Sequence, residues 1–147
     1  MSPNNLKPST VQQACLNNPE AIDFLTRWSN YVHSIDDIED TAATSEFRLK
    51  AFIQAMEIYT HPFFLKHGAA LKQIVYNATS LYADSLECEK SAVDWHQRLW
   101  DWARHSGVEM VLAVACIIGG YDHMRSISME FRKLCYFEHH DEKGQPR

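Results

Sequence analysis

Apolar residues along this chain recur three and four positions apart, and no stretch of four or more alternates cleanly between apolar and polar side chains. That spacing predicts helices and no sheet. A short helix is expected near 11–16. The first long one opens at Asn18-Pro19-Glu20, where a capping side chain, a proline suited to the first helical position and an acid at the positive end follow one another. It runs to about Asp40. A second opens at Ser45-Glu46 and carries Phe47, Ala51, Phe52, Ala55, Met56 and Tyr59 before His61-Pro62 stops it. A third covers roughly 64–86, with Leu71, Ile74, Val75, Ala78, Leu81 and Tyr82 on its buried side and Gly68 weakening its start. The fourth opens with the capping-box pattern Ser91-Ala-Val-Asp94 and ends at Gly107. The last, about 108–137, is apolar all round until Gly120, which belongs at a bundle centre; Gly119-Gly120 either admits a close neighbour or bends the helix.

The expectation is an all-α fold: one helical bundle of five to six helices with a central apolar helix, and irregular tails at 1–10 and 138–147. No repeat or linker interrupts it. With 147 residues the chain is long enough for one domain with a real core. A net charge of −5 argues against a nucleic-acid-binding surface. Cys15, Cys88, Cys116 and Cys135 form no CxxC pair and read as reduced thiols. The opening MSPNNLKPST is too polar for a signal peptide, and the run VLAVACIIGG is too short to span a bilayer, so the expected location is cytoplasmic.

Charge changes the picture at one place. Ser34–Thr41, SIDDIEDT, ends the first long helix with Asp36, Asp37, Glu39 and Asp40. With Trp28 at the centre of the apolar face and about 100° per residue, Leu25, Val32 and Ile35 fall close to it. Glu39 falls nearly on the same line, Asp36 at its edge and Asp40 a little further round, while Asp37 points away. Like charges four residues apart repel, and a helix C-terminus already carries partial negative charge; each effect costs a few tenths to about 1 kcal/mol. A divalent cation removes that cost, and Mg²⁺ accepts oxygens from one helix face. The alternative is a helix that outruns the core and ends in water.

Asp36-Asp37-Ile38-Glu39-Asp40 fits the pattern DDxxD and resembles the first aspartate-rich motif of the class I isoprenoid synthases, the prenyl diphosphate synthases and terpene cyclases. The resemblance extends to DHMRSISME, where Asp122, Ser126 and Glu130 stand at the spacing of the cyclases' second metal motif. It covers these two short motifs. It implies that Asp36, Asp40, Asp122, Ser126 and Glu130 hold Mg²⁺, that the metal grips a small-molecule diphosphate, and that the protein acts as a lyase or transferase on an allylic diphosphate. Arg125 is the basic residue nearest the second motif, with Arg98 and Arg48 as alternatives. Trp28, Phe52, Tyr59, Trp95, Trp100 and Tyr121 would line an apolar pocket or serve as packing anchors. A homodimer would complete the site.

Histidine pairs give a rival metal reading. His33 and Asp37, His105 and Glu109, and Glu57 and His61 each stand four residues apart. The E-x-x-H spacing of ferritin-like di-iron bundles is missing, as are GxSxG, P-loop and HExxH signatures. The second class of function is a non-enzymatic helical interaction or regulatory module with an acidic contact surface.

Overall fold

The structure, a computed structural model, describes residues 8–40 and 44–139, without the side chains of Pro8, Asp40 and 137–139. It is an all-α bundle: α1 (Pro8–Ala14), α2 (Pro19–Asp40), α3 (Ser45–Tyr59), α4 (Pro62–Glu89), α5 (Asp94–Arg104) and α6 (Val108–His139). No strand occurs among the described residues. Two ends differ from expectation. α1 begins at Pro8, inside the stretch expected to be irregular, and α6 continues to His139.

Local chemistry accounts for the helix starts. The Asn18 Oδ1 accepts from the Ala21 N–H at 3.0 Å and caps α2 as its residue type predicts. The preceding turn passes through two left-handed residues, Leu16 (φ 47°) and Asn17 (φ 59°); asparagine tolerates that conformation and leucine does not. At α4 the His61 Nδ1 accepts from the Phe63 N–H at 3.1 Å, and Pro62 takes the first helical position. With Nδ1 an acceptor, the ring proton sits on Nε2 and is donated to the Asp23 Oδ2 at 3.0 Å. α5 corrects the expected capping box. Its N-cap is Val93, and the Ser91 hydroxyl lies one turn too early, accepting from the Val93 N–H at 3.2 Å instead.

Phe24, Leu25 and Trp28 of α2, Phe63 and Leu71 of α4, and Met110, Val111 and Val114 of α6 form the centre of the core. Phe24 and Phe63 stack with ring centroids 5.3 Å apart. α3 contributes only Ala51 and Ile58; its Phe47, Phe52, Met56 and Tyr59 face outward.

α6 is not one rod. Gly120 adopts φ 79°, ψ 178°, which breaks the helix and is open essentially to glycine alone. On either side of it Glu109 and Arg132, 23 positions apart, are joined by a 2.9 Å hydrogen bond. A straight helix would hold those positions about 35 Å apart. The chain therefore doubles back as a helical hairpin with arms 108–119 and 121–139. Gly119 is required for a second reason: a Cβ there would come within 2.5 Å of the His123 ring. That ring donates from Nε2 to the Ala14 carbonyl at 2.9 Å and ties the hairpin to α1. No single helix among the described residues is long and apolar enough to cross a bilayer.

Candidate functional site

The acidic end of α2 turns toward α4 and α5. The Asp36 Oδ1 accepts from the Arg104 guanidinium at 2.7 Å and from the Tyr82 hydroxyl at 3.0 Å. Arg104 also donates to the Tyr82 oxygen at 3.3 Å and to the Glu89 carboxylate. Its guanidinium sits 5.4 Å from the Tyr82 ring centroid and 5.8 Å from that of Trp100, so aromatic faces shield the charge. The Arg104 side chain is 10% exposed and Asp36 34% exposed. Burial and the neighbouring Asp36 charge, against the opposing pull of Arg104, push the Tyr82 phenol well above its ordinary value.

This clamp answers the electrostatic problem posed by the sequence. The last turn of α2 contains no basic residue; the compensating cation arrives from α5. Asp37 is exposed, as its position on the helix predicts. Glu39 is exposed too, although its angle places it near the apolar line, because α2 meets α4 and α5 here through Asp36 rather than through its Trp28 face. The side chain of Asp40 lies outside the described residues.

The second motif lies on the outer arm of the hairpin, where Asp122, Ser126 and Glu130 are all exposed. The Ser126 hydroxyl donates to the His123 carbonyl at 2.7 Å, and the Arg125 guanidinium donates to the Ser128 hydroxyl at 2.7 Å. Arg98 pairs with Asp94 at 2.6 Å on α5. Among the described residues no group of three or more His, Cys, Asp or Glu side chains could hold a metal ion. The histidine pairs are divided among other partners: the His105 Nδ1 meets the Asp101 carbonyl at 2.8 Å, Glu109 pairs with Arg132, and Glu57 meets Arg27 at 3.4 Å. Of the six aromatics named from sequence, Trp28 is a buried anchor, donating from Nε1 to the Gly107 carbonyl at 3.2 Å, and Trp100 packs against Arg104; Phe52, Tyr59, Trp95 and Tyr121 are exposed.

The hairpin creates a feature that no linear motif announces. A cavity of about 560 Å³ lies between α4, the end of α5 and both arms of α6. Leu81, Trp102, Val108, Met129, Cys135 and Tyr136 give it an apolar lining, and Asp101, His105, Glu109, Arg132 and Lys133 supply polar groups around it. The Glu109–Arg132 pair, 37% and 43% exposed, bridges the two arms at its wall. Trp102 and Met129, 58% and 69% exposed, stand at its open side. Sequence reading missed Arg104, Trp102, Met129 and Arg132. A signal existed for the last: about a turn at Gly119-Gly120, positions 109 and 132 are nearly equidistant, so opposite charges meet.

A smaller cavity of about 210 Å³ lies beside the clamp, with Trp28, Val32, Ile35 and Tyr82 among its walls. No protein-family model matches the chain, and neither a curated protein nor a solved structure matches it.

Proposed function

We propose that the protein is a helical binding protein that takes an amphipathic small molecule into the cavity enclosed by the α6 hairpin and α5. The observation that carries this reading is the combination of size, apolar lining and a few convergent polar groups in one half-enclosed space. Such a cavity falls within the volume range of small-molecule sites. The apolar body of the ligand lies against Leu81, Val108 and Met129, and its polar end meets the Glu109–Arg132 pair and the His105 side of the wall.

A Mg²⁺–diphosphate site on Asp36, Asp40, Asp122, Ser126 and Glu130, with Arg125 as its basic helper, draws less support. Asp36 is held by Arg104 and Tyr82, whose hydrogen bonds a metal would have to replace. The exposed Asp37 and Glu39 favour, as a second reading, an acidic contact surface at the end of α2.

The test is a titration with straight-chain alkyl carboxylates and the matching alcohols, read by displacement of an anilinonaphthalene sulfonate probe. Affinity should rise about fourfold per methylene until the cavity is filled, the value expected for about 0.8 kcal/mol per buried CH₂. Leu81→Trp should abolish binding with the helical circular dichroism unchanged. If no chain length binds, and Mg²⁺ with pyrophosphate raises the unfolding midpoint instead, the diphosphate reading replaces this one.

A further inference from the structure

We infer that α3 is the contact surface for a second copy of this chain, packed antiparallel across a two-fold axis between Phe52 and Ile53. Leu49, Phe52, Ile53 and Met56 are 59%, 62%, 49% and 44% exposed. Their spacing is that of the apolar stripe a helix normally buries, yet this helix buries Ala51 and Ile58 on its other side instead. Leaving four large apolar side chains in water on one stripe marks an interaction surface rather than scattered exposure.

The stripe is self-complementary. A two-fold axis perpendicular to the helix, between Phe52 and Ile53, sets Leu49 against Met56 of the other copy and Phe52 against its Ile53, closing the contact without leaving a repeating edge. Charge agrees with this arrangement. At about 100° per residue, Glu46, Lys50 and Glu57 lie along one flank of the stripe, where Arg27 of α2 reaches Glu57 at 3.4 Å. Antiparallel pairing brings that flank against itself, with each Lys50 about 3 Å along the axis from the second copy's Glu57. The two cations, Lys50 and Arg27, balance the two acids, so the flanks meet without net like charge. The four charged residues of α3 itself, Glu46, Arg48, Lys50 and Glu57, also sum to zero. A helix that lies on anionic lipid is typically basic, so the composition favours a second copy over a membrane.

Sedimentation equilibrium tests this. The full chain should self-associate to twice its monomer mass in the micromolar range. Phe52→Glu, at an exposed position, should weaken association by about thirtyfold or more with unchanged circular dichroism. Lys50→Glu should weaken it and Lys50→Glu with Glu57→Lys should recover it, a dependence that folding defects would not produce. A monomeric wild-type chain, a Phe52→Glu chain that associates as well as wild type, or a charge-swapped chain with no recovery overturns the inference. So does a monomer that co-sediments with vesicles containing phosphatidylserine. None of these results depends on whether the α6 cavity binds a ligand.

Discussion

Asp36 accepts a 2.7 Å hydrogen bond from Arg104, a residue 68 positions further along the chain. The acidic end of α2 is thereby neutralised by tertiary structure rather than by its own last turn. Because the Arg104 side chain is 10% exposed and Asp36 34% exposed, this pair is screened less than a surface ion pair and is more strongly coupled to the fold.

Arg104→Gln should therefore destabilise the protein by about 1–3 kcal/mol in urea unfolding, since Asp36 and Glu89 lose a shared charged donor. Asp36→Asn should cost less, because the amide oxygen still accepts from Tyr82 and Arg104. It should also lower the pH at which Tyr82 ionises, because the Asp36 charge is one of the causes raising that phenol. Alkaline spectrophotometric titration checks the second effect. A wild-type titration unchanged by Asp36→Asn would contradict the clamp.

Two glycine substitutions should have opposite signs. Gly120→Ala places a side chain at φ 79° and should cost about 1–3 kcal/mol while disturbing the hairpin. Gly68→Ala sits inside α4, where a Cβ would make only an ordinary 3.8 Å contact with Phe64, and should stabilise by about 0.5–1 kcal/mol. Thermal and urea unfolding of the two variants side by side measure both.

Burial pushes the Cys15 thiol from 9.0 up to about 11. The folded protein then keeps a proton that the unfolded chain releases. The resulting stabilisation is complete below about pH 9 and is lost as pH rises through about 11. Unfolding free energy should fall with pH across that window, and Cys15→Ala should flatten the slope. Iodoacetamide at mildly alkaline pH should modify the half-buried Cys116 well before Cys15.

The helices were legible because their signals are local. Asn18-Pro19-Glu20, His61-Pro62 and the run after Val108 each combine a start or stop residue with apolar spacing, and α2, α4 and α6 follow from them. The site was not legible in the same way. Arg104 carries no sign in its own neighbourhood that it will serve Asp36, since that pairing depends on how α5 crosses α2. The hairpin was half visible: Gly119-Gly120 announces a bend, but a bend and a full reversal read alike until the φ of Gly120 is known. Phe52 and Met56 misled for the opposite reason. Their helical spacing normally marks a buried face, and here α3 turns it outward.

The central claim, that the hairpin cavity binds a small amphipathic ligand, is tested most directly by methyl NMR of the protein labelled at its methionines. Met129 stands in the cavity wall and Met56 on the outer face of α3. Titration with a medium-chain alkyl carboxylate should shift the Met129 methyl saturably and leave Met56 in place. A Met129 signal that never moves, or that drifts together with Met56 without saturation, would contradict the account.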